Sequence, residues 1–253
     1  MRDLVTIFGV NVDNITEDEA AERTKELIEK SNKTCTLIVA PNVEFIMTAQ
    51  KDKEFFDILK TAELATPDSV GVEMAGKKQG KPFKERIPGQ AYFRCVCKMA
   101  AREGYTIYLL GGKGDIPRLT KENIERLYPG VKIIGYHEGY FEQDSEQDVI
   151  NQINELQPNI LFVATGHPRQ EKWIYNHKDE LKVDVAAGQG GTFDYEAGNI
   201  KRAPKWIQKI GIEWLWRLIL QPSRIKRMAV LPKFYFMVKF KKDITKSHWE
   251  INK

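Results

Sequence analysis

The stretch Asn159-Ile160-Leu161-Phe162-Val163-Ala164-Thr165-Gly166-His167-Pro168-Arg169-Gln170-Glu171-Lys172-Trp173 decides how this chain reads. Its first six residues form a short apolar run, as in a strand buried on both faces of a parallel sheet. Pro168 suits the first turn of a following helix, where its missing N–H would have no partner anyway. Ligands of open parallel sheets bind outside the carboxyl ends of the strands, so His167, Arg169, Gln170 and Glu171 stand where a substrate would sit. The bland alternative is a capped, solvated turn, since most strand-to-helix turns carry no chemistry.

Working outward, strand-like and helix-like stretches alternate through the first 200 residues. This pattern predicts an α/β fold with a Rossmann-like, mostly parallel sheet and helices on both faces, followed by a basic helical C-terminal appendage. Leu4–Val10 reads as the first strand, and Thr16-Glu17-Asp18-Glu19 as a capping box that starts a helix ending near Lys30. One helical stretch is expected over about Val43–Lys60, and others near Ser69–Gln79 and Gln90–Glu103. Past Gly188 the texture turns glycine-rich and then aromatic and basic. A boundary therefore falls near residue 200, with an α/β body over 1–200 and an appendage over 201–253 that Pro222 and Pro232 break into short pieces.

Charge divides the chain in the same place. Residues 201–253 hold 14 Lys/Arg against three acidic residues, a net of +11, while residues 1–200 carry a net of −7. A basic tail on an acidic body is suited to meet anions such as lipid head groups or a pyrophosphate. It does not fit a nucleic-acid-binding module, because the acidic body offers no complementary groove. No apolar run reaches the length of a membrane span and no leader pattern opens the chain, so a cytoplasmic location is expected. Cys35, Cys95 and Cys97 cannot all pair, and they read as structural.

Several constellations could carry chemistry. Gly111-Gly112-Lys113-Gly114 sits between a strand and a helix, where backbone N–H groups can approach a phosphate or a ribose. Gly188-Gln189-Gly190-Gly191-Thr192-Phe193-Asp194 could hold a nucleotide base and sugar, and a purely structural turn is as good a reading at each loop. Asp68 follows Pro67 at a strand exit, as a general base would or as a helix N-cap would. Arg86 can bind a phosphate by two parallel hydrogen bonds. The four histidines lack metal-ligand spacing and no Asp-x-Asp motif follows a strand, so neither a metal nor a cofactor is expected. Stabilising phosphate charge then falls to Arg and Lys, with Arg202, Arg217, Arg224 and Arg227 as tail candidates.

Taken together these residues resemble the WecG/TagA/CpsF family, glycosyltransferase family 26. The likeness runs through Gly9-Val10 with Asp13, Pro41-Asn42, Pro67-Asp68-Ser69-Val70-Gly71, Glu85-Arg86-Ile87-Pro88-Gly89 and Gly166-His167-Pro168-Arg169-Gln170-Glu171. It continues in Gly190-Gly191-Thr192-Phe193-Asp194, Ala197-Gly198, Arg202-Ala203-Pro204, Gly211-Ile212-Glu213-Trp214-Leu215, Arg217 and Pro222-Ser223-Arg224. The resemblance implies metal-independent, inverting transfer from a UDP-sugar to a polyprenyl-pyrophosphate-linked sugar by a protein peripheral on the inner face of the membrane. The family's best-known activity adds N-acetylmannosamine to lipid-linked N-acetylglucosamine in wall teichoic acid synthesis, while other members use glucose or N-acetylmannosaminuronic acid.

By position, Asp68 matches the family's proposed base, and Asn42, Arg86 and Gln170 match its other pocket residues. Arg217, Arg224 and Arg227 match the tail thought to close the site at an anionic membrane surface. Gly111, Gly112, Arg169, Gly190, Gly191, Thr192, Asp194 and Arg202 are expected at the substrate. A homo-oligomer is left open. The chain departs from the family pattern at Ala40, where Thr is common, at Ala91, where Asp is frequent, and at Gln189, where a small apolar residue is usual. These departures bear on the donor sugar more than on the reaction.

Overall fold

Two residues at the start depart from the expected single strand. Phe8 and Gly9 both have positive φ, 48° and 78°, so the chain folds back as the two-residue hairpin turn that such φ values build. β1 (Leu4–Ile7) thereby pairs antiparallel with β2 (Val10–Asp13) as a ribbon outside the main sheet. A phenylalanine is not a residue that announces such a turn.

The computed structural model describes residues 2–200, 203–204, 213–222 and 225–251. Its main sheet contains β3 (Thr36–Val39), β4 (Leu64–Ala65), β5 (Thr106–Gly111), β6 (Lys132–His137), β7 (Ile160–Ala164) and β8 (Val185–Gly188). All neighbouring pairs are parallel, in the order β4-β3-β8-β7-β5-β6. Side-chain alternation explains the layers. Along β7, Leu161 and Val163 enter one buried cluster, while Ile160, Phe162 and Ala164 enter another on the opposite face. An all-parallel sheet needs cover on both faces, and helices supply it.

One face is covered by α1 (Glu17–Lys30), α5 (Gly89–Glu103) and α6 (Ile116–Leu127). The capping box at Thr16 starts α1, since its Oγ1 accepts from Glu19 N while Glu19 Oε2 accepts from Thr16 N. The other face is covered by α2 (Val43–Ala49), α3 (Lys53–Lys60), α4 (Val70–Lys78), α7 (Glu146–Leu156) and α8 (Arg169–His177). The single helix expected over Val43–Lys60 is two helices, because Asp52 caps a second start by accepting from Phe55 N at 3.0 Å. A short α9 (Thr192–Glu196) follows β8 inside the stretch expected to be a glycine-rich loop.

The C-terminal segment contains α10 (Glu213–Leu220), α11 (Ile225–Met228), α12 (Val230–Phe240) and α13 (His248–Ile251). From α12 onward it shares the core of the body. Phe234, Val238 and Ile244 are buried in the same cluster as β1, α2 and α3, and the Phe234 ring meets Phe8 edge-on at 5.9 Å. Phe8 N donates to Ile244 O, Gly9 N to Thr245 O, and Trp249 Nε1 to Ala49 O. Pro232 lies in the first turn of α12, where it costs no helical hydrogen bond. The tail from α12 onward is thus continuous with the core of the body, and Phe234 covers Phe8.

All three cysteines are free and buried, and burial pushes the Cys35 and Cys95 thiols up to about 12. No helix among the described residues is long and apolar enough to cross a membrane. The packing of α12 makes a direct prediction. Phe234→Ala should destabilise the full chain by about 3–5 kcal/mol in denaturant unfolding, whereas Phe236→Ala, at a position 64% exposed, should stay within about 0.5 kcal/mol.

Candidate active site

From β3 the chain steps outward to β4, then crosses to β5 on the far side of β8 and β7. Connections leaving in opposite directions open a crevice at the carboxyl ends of the strands, where parallel sheets bind ligands. A cleft of about 550 Å³ occupies that place. Asn42 follows β3, Asp68 follows β4, Gly112 follows β5, Thr165 to His167 follow β7 and Gly190 to Thr192 follow β8, and all of them line it.

Gln170 holds two of these loops together. Its Oε1 accepts from Gly166 N at 3.2 Å and from Gly190 N at 3.0 Å, so one amide oxygen joins the β7 exit to the β8 exit. Its Nε2 donates to Glu171 Oε1, and both side chains are buried. Gly188 is required beneath them. A Cβ there would stand 2.3 Å from Glu171 Oε1 and 2.4 Å from Gln170 Nε2. His167 is partly a core residue, stacked on Phe45 at 4.2 Å and hydrogen-bonded through Nε2 to Thr48.

Asp68 lies just outside α4 and is not its cap. The N-cap is Ser69, which makes no side-chain capping bond and is held at φ 95°. A non-glycine residue in that region costs on the order of 1–3 kcal/mol and persists where surrounding structure enforces it, which is common at functional sites. The N-cap reading of Asp68 is thereby set aside. Asn42 does cap, its Oδ1 accepting from Phe45 N at the start of α2 while the residue also lines the cleft.

Two cationic groups line the same cleft as Asp68. Arg86 lines the cleft and lies 3.7 Å from Glu73. Arg227, on α11, also lines it and is anchored by Glu44 of α2, with Nε and Nη2 at 2.9 and 2.6 Å from one carboxylate oxygen. This pair brings the C-terminal segment over the mouth of the cleft. Asp194, Gly191 and Lys113 also line the cleft.

Other expected residues lie elsewhere or play other parts. Arg169 faces away into a shallow groove with Glu146, Lys172 and His177. Consecutive helical residues point about 100° apart, so when Gln170 turns inward Arg169 cannot. Gly111 ends β5 packed on Ala164, where an added Cβ would meet backbone at 2.6 Å, and it does not line the cleft. The N–H groups of Gly112, Gly114 and Gly190 are engaged by Ala164 O, Glu138 Oε2 and Gln170 Oε1. Arg202, Arg224 and the side chain of Arg217 lie outside the described residues. Among the described residues, no three His, Cys, Asp or Glu side chains form a metal set.

The structure adds Gln90, Lys113, Tyr140 and Tyr195 to the cleft wall. Gln90 had a readable signal, standing directly after Pro88-Gly89 at a helix start, whereas Tyr140 lies in a loop without a motif. Polar atoms without partners gather here. Ser69 Oγ, Gln90 Oε1, Thr165 Oγ1 and Gln189 Oε1 are buried without a hydrogen-bond partner, and all four belong to cleft-lining residues, whereas His167 Nδ1 lies 3.6 Å from Glu171 Oε2. Buried polar groups ordinarily find partners in the protein, in ordered water or in a ligand. Gly188→Ala should displace Gln170 and separate the two loops. The expected result is a loss of about 1–3 kcal/mol of stability together with loss of ligand binding in the cleft, read by thermal unfolding and calorimetry.

Comparison with known proteins agrees with this geometry. Residues 5–248 match the glycosyl transferase WecG/TagA/CpsF family. A curated N-acetylglucosaminyldiphosphoundecaprenol N-acetyl-beta-D-mannosaminyltransferase of Bacillus subtilis is 37% identical over 202 residues, covering 80% of this chain and 78% of that protein. The protein of the same name from Bacillus spizizenii is 33% identical, covering 84% and 82%. That of Staphylococcus aureus is 30% identical over 244 residues, covering 96% and 95%. With its cleft at the strand ends and a match running from β1 to α13, the chain belongs to the WecG/TagA/CpsF family of glycosyltransferases.

Proposed function

We propose that the chain transfers N-acetylmannosamine, with inversion, from UDP-N-acetylmannosamine to polyprenyl-pyrophosphate-linked N-acetylglucosamine, in the synthesis of teichoic acid or a related surface polysaccharide. The observation that carries this is the convergence of one carboxylate, Asp68, and two guanidinium groups, Arg86 and Arg227, on a single cleft at the strand ends. The names of the relatives supply the sugar and the lipid.

Asp68 takes the proton from the acceptor hydroxyl as its oxygen attacks the anomeric carbon. The bond from that carbon to the β-phosphate oxygen breaks, and UDP departs with the bonding pair. Arg86 and Arg227 bear the charge that grows on the leaving diphosphate, acting as cations fixed before the reaction begins. Asn42 and Asp194 hold the donor, while Gln170 acts through the loops it joins.

The acceptor is a membrane lipid, and α12 offers a face for it. Phe236 and Phe240 are exposed and paired at 4.5 Å, with exposed Lys233 and Lys239 beside them. Aromatic rings at the head-group level and lysines near an anionic leaflet suit a peripheral protein on the inner membrane face.

Turnover is measured as UDP release with a lipid-pyrophosphate N-acetylglucosamine acceptor. UDP-N-acetylmannosamine should be the productive donor, with UDP-glucose and UDP-N-acetylmannosaminuronic acid as competitors for the assignment. Asp68→Asn should lower kcat by about 10²-fold or more, and full turnover in a folded variant would remove Asp68 from the role of base. The pair Phe236→Ala with Phe240→Ala should weaken binding to phosphatidylglycerol vesicles by about tenfold or more without unfolding the chain.

A further inference from the structure

Gln90 stands in the first turn of α5, in a position that sets the direction of its amide. The residue is 8% exposed and lines the cleft. Its Nε2 donates to Glu196 Oε1 at 2.6 Å. Glu196, itself buried, is held by Arg94, whose Nε and Nη2 donate to the two carboxylate oxygens at 2.8 and 3.0 Å. That hydrogen bond to Glu196 also raises the Arg94 pKa, so the carboxylate faces a permanent cation.

An ionised carboxylate only accepts hydrogen bonds. The end of the Gln90 amide that meets Glu196 must therefore be the NH₂, and rotating the amide by 180° would set two acceptors against each other. Glu196 is not part of the cleft wall, so the carbonyl end is the one turned from it, and Gln90 Oε1 has no partner. Gln189 carries a second unpaired amide oxygen on the same cleft, but no carboxylate sets its direction. Of these two buried amide oxygens, Gln90 Oε1 is the one whose identity the surrounding charges fix.

We propose that Gln90 Oε1 is a specificity-determining acceptor that takes a hydrogen bond from an N–H of the bound nucleotide-sugar. Two groups on such a donor carry this chemistry, the imide N–H of uracil and the N–H of a 2-acetamido substituent. A hydroxyl can both donate and accept and reads such an oxygen less selectively. A site committed to a hydrogen bond rejects a ligand that cannot make it, because the buried oxygen is then left without any partner. The Arg94–Glu196–Gln90 relay is accordingly a device for presenting an acceptor and no donor.

This assignment rests on the reading of the cleft as a nucleotide-sugar site, and one set of titrations separates the two. Binding of UDP, UDP-N-acetylglucosamine and UDP-glucose is measured by calorimetry on the full chain, wild type and Gln90→Met, the latter keeping length and volume without the amide. About tenfold weaker binding of all three to Gln90→Met identifies the uracil imide. Unchanged UDP with UDP-N-acetylglucosamine alone weakened about tenfold, toward the level of UDP-glucose, identifies the acetamido group. Equal affinities in both proteins for all three ligands overturn the role of Gln90 while leaving the nucleotide-sugar reading intact. Failure of the wild type to bind UDP overturns that reading and this assignment with it.

A ligand-side measurement covers the case in which Gln90→Met does not fold. Wild-type affinity should fall for UDP methylated at uracil N3 relative to UDP, or for UDP-glucose relative to UDP-N-acetylglucosamine. No loss in either comparison overturns the proposal.

Discussion

One amide oxygen holds the catalytic end of this protein together. Gln170 Oε1 takes N–H groups from the exits of β7 and β8, two loops that neighbouring strands deliver side by side but that no ladder hydrogen bond joins beyond the sheet. Everything the cleft needs from those loops depends on that oxygen staying in place. It stays because Glu171 draws the other end of the amide inward, and because Gly188 leaves the space that both side chains fill. Gln170 is thus a buried residue of the cleft wall that makes two backbone segments behave as one.

The same logic recurs around the cleft. Ser69 is held at an unfavourable φ beside Asp68, Glu44 anchors Arg227, and Glu196 with Arg94 orients Gln90. In each case a cleft-lining group is held in place by its neighbours. Such preorganisation costs stability locally, in strain and in buried polar atoms left unpaired, and the close-packed sheet beneath supplies the rigidity that supports it.

Much of this was legible in the chain itself. The alternation of apolar strands with capped helices gave the parallel sheet, and Thr16 with Glu19 announced the start of α1. Asn42, Asp68, Arg86, Gln170 and the Gly190–Asp194 stretch are separated by long intervals in sequence and meet in one cleft. What stayed hidden has physical causes. Arg169 and Gln170 are adjacent letters in one motif, and only the turn of the helix sends them to opposite sides. Glycine loops read as open backbone until some of their N–H groups are found bonded to neighbouring elements. The hairpin at Phe8-Gly9 has an unfavourable residue at a positive-φ position, so no turn signal preceded it.

The pairing of Phe8 with Ile244 has a consequence for how the molecule comes into being. These residues are 236 positions apart, and their backbones share a hydrogen bond beside the buried ring of Phe234. Contacts between such distant parts of a chain form late, because a long loop must close before they repay its entropy. During synthesis the hairpin and α2 wait with one apolar side uncovered until α12 has emerged. The helix that completes the core also carries Phe236 and Phe240 outward and is preceded directly by Arg227. A partly made chain therefore lacks at once its finished interior, one cation of its cleft and its exposed aromatic pair. Maturation of the fold and assembly of the site are one event in time.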